Sequence, residues 1–189
     1  NQIRALEDEL KSALQEQEAK LSYQLEGSKV RFDKAVKSAH KRVKTGLFTW
    51  LRNSRPQSVL SAPFVYGMIF PIALFDLSLT LYQIICFRLY DIPRVVRSDY
   101  IVIDRHHLAY LNVFEKLNCV YCGYGNGVIS YAREITSRTE QYWCPIKHAR
   151  KILDSHLRYD AFLNYGDATA YPVKLIGFRA ALKGEGSAD

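Results

Sequence analysis

Four residues with metal-binding side chains form two pairs in the C-terminal half of the chain. Cys119 and Cys122 are separated by two residues, and Cys144 stands four positions before His148. Two thiolates at the first spacing can hold one metal ion across a tight turn, and the second pair fits one face of a helix. Two Cys and then a Cys and a His make up the ligand set of a closed tetrahedral zinc site. The sequence therefore predicts structural zinc.

The residues around these pairs fit that interpretation. Gly123, Gly125 and Gly127 supply the backbone freedom that a tight turn needs, and Pro145 suits the first position of a helix over 145–158. The arrangement over 118–148 resembles a zinc knuckle followed by a ligand-bearing helix, as in treble-clef or ribbon-like modules. That resemblance implies a metal that supports the fold. It departs from a treble clef at 128–142, which reads as a helix instead of a β-hairpin.

Other uses of the thiols stay open. Cys119 and Cys122 could form a redox-active dithiol in a thiol or metal sensor, they could be buried thiols without a metal, or an iron–sulfur centre could replace zinc. Cys86 lies in an apolar stretch and is expected to act as a small hydrophobic residue. Four cysteines in this arrangement are unlike a disulfide framework, which favours a reducing compartment.

A second candidate site follows a short predicted strand, Tyr100–Ile103. Asp104, His106 and His107 could build a catalytic or metal site at its end. Neighbouring histidines point in different directions, so a hydrogen-bonding role beside the metal ligands is favoured. The chain contains no phosphate loop, Rossmann fingerprint or nucleophile elbow, which makes an enzyme the less favoured class.

Charge is strongly segregated along the chain. The net charge of the whole chain is +7. By region, the net charge is −3 over residues 1–28, +8 over residues 29–55 and zero over residues 56–90. The apolar fraction of 48% and the charged fraction of 24% exclude collagen-like and wholly disordered chains. A single compact soluble domain is not expected to show this segregation, so several differently solvated regions are predicted.

Residues 1–28 predict a helical, coiled-coil-like arm. Their apolar residues recur partly at intervals of eleven, which is typical of a straight or slightly right-handed supercoil; they are Ile3, Leu6, Leu10, Leu14, Leu21 and Leu25. We expect residues 1–26 to bind protein partners or a second copy of the chain. The alternative is a helix that packs on its own chain.

Residues 29–56 predict a basic amphipathic helix at a membrane surface. The residues expected to meet lipid headgroups are Lys34, Lys37, Lys41, Arg42, Lys44 and Trp50. Such a helix is attracted to anionic lipid. Nucleic acid would attract the same charges, but the position directly before an apolar stretch favours lipid.

Residues 57–90 predict a membrane-inserted segment, because 57–87 contains a single charge, Asp76. Pro63 and Pro71 interrupt helical hydrogen bonding, and basic residues flank both ends of the segment. A re-entrant or monotopic hairpin on the cytoplasmic face is favoured by these flanks, with one long, tilted or kinked span as the alternative.

Residues 91–182 predict a small α+β cytosolic domain stapled by the metal, followed by a flexible tail at 183–189. Helices are expected at 106–117, 128–143 and 145–163, with a closing strand at Tyr171–Phe178. The whole chain is predicted to be mostly α. The favoured function is a membrane-attached scaffold or accessory subunit of a larger assembly. The alternative is a monotopic membrane enzyme acting on a lipid or quinone-like substrate.

Overall fold

A computed structural model of the chain describes residues 55–185 throughout. Before them it describes the backbone of 23–26 and 29–32 and six single residues, namely Glu9, Ser12, Ala13, Glu16, Gly46 and Arg52. The described chain is mostly helical, which confirms the fold class at that level. It divides into two compact units, one of Asn1–Ala62 and Ile103–Cys122 and one of Pro63–Val102 and Gly123–Asp189.

The first unit contains a two-stranded antiparallel hairpin, β1 (Tyr23–Glu26) and β2 (Lys29–Phe32). Glu26 pairs with Lys29 in register, so only two residues connect the strands. The sequence predicted helices over 1–26 and from residue 29 onwards, and both predictions are wrong for 23–26 and 29–32. Aromatic and β-branched residues in these stretches favour paired strands.

Most of the predicted arm, and all six predicted membrane-surface residues, lie outside the described residues. The described positions of the arm before residue 17 are helical and exposed. Among them, the Ser12 hydroxyl donates a hydrogen bond of 2.8 Å to the carbonyl oxygen of Glu9. The coiled-coil-like arm as a whole stays a prediction.

The apolar stretch forms one helical run. It comprises α1 (Pro56–Gly67), α2 (Ile69–Tyr82) and a π-helical end at Gln83–Phe87; we call the whole run the long helix. The interruption at Met68 precedes Pro71, which has no amide proton to donate to the carbonyl of Gly67. Helical hydrogen bonds continue across Met68, which both donates to and accepts from its neighbours. No chain reversal occurs within 56–87, and whether this run forms a membrane hairpin or a single span stays a prediction.

The long helix ends in a tight turn that sends the chain back along it. Asp91 adopts a left-handed conformation with φ of 52°, and the amide of Ile92 donates to the carbonyl oxygen of Phe87 at 2.8 Å. We call residues 92–99 the return segment. No strand forms at Tyr100–Ile103, because the amides of Tyr100 and Ile101 both bond to the Arg97 carbonyl in a local turn.

One helix, α3 (Val113–Trp143), replaces the two helices and intervening turn that the sequence predicted over 106–143. Asn112 and Glu115 cap its start reciprocally, each side chain accepting from the other's amide at 3.0 and 2.8 Å. The glycines lie inside this helix because of close packing. A Cβ on Gly127 would lie 2.8 Å from the carbonyl oxygen of Tyr100 and 2.9 Å from the Cα of Ile101.

The C-terminal region also differs from the predicted α+β domain. Residues 145–163 are irregular instead of helical, apart from a short 3-10 turn at Tyr159–Ala161, because Ile146 bridges to Leu163 and Asp154 has a positive φ of 56°. The predicted closing strand belongs to a helix, α4 (Tyr171–Glu185). Its proline lies in the first turn, where no amide proton is needed. Within residues 91–185, the only β pairing is that isolated bridge.

The core of the second unit joins the long helix, the return segment, α3 and α4. Its buried members are Leu79, Phe87, Ile92, Val95, Tyr131, Ala132, Ile135 and Leu182. Tyrosines at 82, 90, 100 and 142 pack around this cluster. The core therefore holds only the later part of the long helix.

Candidate functional site

The long helix is the one helix in the described chain that is long and apolar enough to cross a membrane. At 1.5 Å per residue its 32 residues extend about 48 Å, beyond a hydrocarbon core of about 30 Å. Large apolar side chains are exposed along its whole length; they include Val59, Leu60, Phe64, Phe70, Leu74, Leu77, Leu81, Ile84 and Ile85. No residue of the run is buried before Asp76.

Asp76 lies at the start of the part of the helix that packs against the rest of the chain. Its carboxylate accepts two hydrogen bonds from the guanidinium of Arg97, at 3.1 Å from Nε and 2.6 Å from Nη2. The hydroxyl of Tyr124 donates to the same carboxylate at 2.9 Å. Both oxygens of a buried charge are thus paired, which is the condition under which an ionised group is tolerated among apolar residues.

Gln83 forms a second polar anchor two turns further along the same face. The amide of Val95 donates to its Oε1 at 3.0 Å, and its Nε2 donates to the hydroxyl of Tyr131. Asp76, Leu79, Gln83 and Phe87 are all buried and recur at helical spacing. The packed face of the long helix therefore alternates apolar contacts with polar groups that have partners.

An ion-pair network on α3 holds the C-terminal residues in place. Arg158 bonds to Glu134 at 2.9 Å and to Glu185 at 2.6 Å, and Arg138 bonds to Glu134 at 2.8 Å. Arg138 also donates to the carbonyl oxygen of Pro93 in the return segment at 2.7 Å. Burial raises the pKa of Glu134, but hydrogen bonds from Arg138 and Arg158 outweigh it and hold that pKa below its ordinary value.

The structure does not gather the predicted zinc ligands. Cys119 and Cys122 lie on α3, and Cys122 precedes the end of that helix by 21 residues, about 32 Å along its axis. Cys144 follows α3 and is exposed, and the ring Nδ1 of His148 lies 3.2 Å from the hydroxyl of Tyr159.

Within the described residues, no three His, Cys, Asp or Glu side chains are grouped so as to hold a metal ion. Partial desolvation, with a smaller contribution from Glu140, raises the pKa of the exposed Cys144 thiol, whereas a metal ligand or a nucleophile needs the thiolate. Zinc binding by Cys119, Cys122, Cys144 and His148 stays a prediction.

The second predicted site also lacks a convergent geometry. His106 and His107 lie on a 3-10 turn that begins after Asp104, with ring centroids 3.9 Å apart. The Nδ1 atom of His106 is buried and has no hydrogen-bond partner among the described residues. These three residues do not form a metal-holding group with any other described side chain.

The residues that the structure does bring together were mostly missed by sequence reasoning. Arg97, Tyr124 and Arg158 carry no recognisable motif. The polar residues at 76 and 83 in an apolar run were a signal that partners must exist, but nothing in the sequence identified which ones. The chain matches no protein-family model, and neither a curated protein nor a solved structure matches it.

Proposed function

We propose that this protein is a membrane-attached scaffold or accessory subunit of a larger assembly, with the long helix as its membrane element. One observation carries the proposal. Large apolar side chains remain exposed along the helix from Val59 to Ile85, while the polar groups at 76 and 83 are buried and paired within the chain. Such a surface is suited to lipid, since exposed apolar patches of this extent are rare on soluble monomers.

The length of the helix is compatible with this role. A run longer than the hydrocarbon core is accommodated by tilt or kinking, and the interruption at Met68 supplies a place for a kink. We propose the cytoplasmic face for residues 91–182, because basic residues flank both ends of the apolar segment. Protein partners, or a second copy of the chain, are proposed to bind through residues 1–26.

Membrane insertion is tested by adding charge to the exposed face. Phe70 is 77% exposed, and Phe70→Lys places a charge near the centre of the long helix. We expect the share of protein that resists alkaline carbonate extraction to fall severalfold, because a charged residue at the centre of a span costs about 3 kcal/mol.

Leu153→Lys is the matched control. Leu153 is 89% exposed but lies in the irregular segment after α3, so the same charge there should leave extraction unchanged. Loss of both variants from the membrane, or of neither, would contradict the proposal. Labelling of the two termini in sealed vesicles then decides the topology.

Two further predictions are tested separately. Zinc is measured by elemental analysis of the purified chain beside Cys119→Ser and Cys144→Ser; a stoichiometric metal that both substitutions remove would support the metal-stapled domain. The enzyme alternative would gain from an activity on a lipid or quinone-like substrate that His106→Ala abolishes without unfolding the protein.

A further inference from the structure

The turn at the end of the long helix encloses a cavity of about 390 Å³. Its lining consists of Ile84, Phe87, Arg88, Asp91, Ile92 and Arg94. The apolar members come from the last turns of the helix and the first residue of the return segment. The polar members are two arginines and one aspartate, so the cavity combines an apolar wall with concentrated positive charge.

Most of that positive charge is not neutralised by the residues that the structure describes. Both arginines are exposed, and neither has an ion-pair partner among residues 55–185. The only acidic group of the lining, Asp91, already accepts a hydrogen bond of 3.0 Å from the Nζ atom of Lys183. The guanidiniums of Arg88 and Arg94 therefore remain available to an anion.

An exposed apolar stripe leads along the helix to this cavity. Leu77, Leu81 and Ile84 are 56%, 50% and 44% exposed, and their spacings of four and three continue to Arg88 four residues later. Residues at such spacings share one helical face. The stripe lies apart from Asp76 and Gln83, whose side chains are buried on the packed face.

We propose that this cavity binds the phosphate group of an anionic phospholipid, with an acyl chain along the stripe. Guanidinium groups match phosphate oxygens with paired, charge-assisted hydrogen bonds. A net anionic lipid is favoured over a zwitterionic one, because a quaternary ammonium group would be repelled by the second arginine. The inference rests on the proposed membrane role of the long helix.

The test is native mass spectrometry of the full chain in detergent, titrated with phosphatidylglycerol or with phosphatidylcholine. We expect phosphatidylglycerol to bind at least tenfold more tightly, and Arg88→Gln/Arg94→Gln to abolish most of that preference. Arg150→Gln/Lys151→Gln is the matched control, because it removes two exposed charges outside the cavity. Arg88→Lys/Arg94→Lys should recover part of the preference, since it keeps the charge and loses the paired geometry.

The outcomes separate the two proposals. If the wild-type chain resists carbonate extraction but binds both lipids equally, the lipid site is wrong and the membrane role stands. If the chain is extracted, the membrane role itself fails. Inorganic phosphate that displaces phosphatidylglycerol at comparable concentration would assign the cavity to free phosphate instead. An equal loss of preference in the control variant would show that surface charge alone attracts the lipid.

Discussion

The two halves of the long helix are built from similar apolar residues but meet different surroundings. In the first half, Pro56–Phe75, no residue is buried and no charge is present. The second half begins with buried Asp76 and includes Leu79, Gln83 and Phe87 against the core. Two phenylalanines illustrate this difference in exposure: Phe64 is 80% exposed, and Phe87 is fully buried.

This difference in burial suggests different roles: the second half contributes to folding, and the first half to the proposed membrane attachment. The first half has no buried residue, so within the described chain it gains little from packing. The second half is stabilised by the core and by polar partners on one face, while its other face stays apolar and exposed. A change in the second half should therefore affect folding, and the same change in the first half should affect only membrane association.

The largest expected effect is the loss of the buried aromatic ring in Phe87→Ala. Removing it from the core should lower the free energy of unfolding by about 4 kcal/mol, through lost burial and the cavity left behind. Phe64→Ala should change it by less than about 0.5 kcal/mol, because that ring has no packed surroundings. Denaturant unfolding in a mild detergent measures both, and similar losses would remove the distinction between the halves.

The next effect is on the ion pair that begins the second half. Arg97→Gln leaves the Asp76 carboxylate buried without its charged partner, and we expect a loss of about 3 kcal/mol. Tyr124→Phe removes one hydrogen bond and should cost about 1 kcal/mol. The double variant Asp76→Asn/Arg97→Gln should be more stable than Arg97→Gln alone. A loss for Arg97→Gln no larger than that for Tyr124→Phe would show that the pair is solvated.

The contact of α3 with Tyr100 and Ile101 gives a smaller effect. Gly127→Ala should cost about 2 kcal/mol, because its Cβ would meet backbone atoms that cannot easily move. Gly125→Ala places a Cβ 3.6 Å from the Cδ1 atom of Ile72, an ordinary contact. That variant should gain about 0.5 kcal/mol from helix propensity. Thermal unfolding of both proteins checks the opposite signs, and a stable Gly127→Ala would contradict the close approach.

The smallest effect concerns pH and the ion pairs on α3. The folded-state pKa of Glu134 is below its ordinary value of 4.5, so its stabilising contribution is present above that pH. It should be lost as pH falls through the lower, folded-state pKa. Glu134→Gln should be less stable than the wild type by about 1 kcal/mol at neutral pH. Between pH 6 and 3 the difference in melting temperature should shrink, and a constant difference would be evidence against the ion pairs.

Sequence and structure agree on features that follow from the hydrophobicity and charge of neighbouring residues. The apolar run, the isolated charge at 76 and the helical character of the chain follow from local composition, and each is present in the structure. Predictions failed where the local sequence was compatible with more than one backbone conformation. Gly123, Gly125 and Gly127 favoured a turn, yet all three lie inside α3.

The sequence by itself identified a long apolar segment and, within it, one charged residue, Asp76, that needs a partner when it is buried, because hydrophobicity and charge belong to the residues in any fold. Only the tertiary structure decided which partner that is. Arg97 reaches Asp76 because the chain reverses at Asp91, and Gly127 leaves room on α3 for the close approach of Tyr100 and Ile101. Such contacts join residues distant in sequence, so no local pattern specifies them.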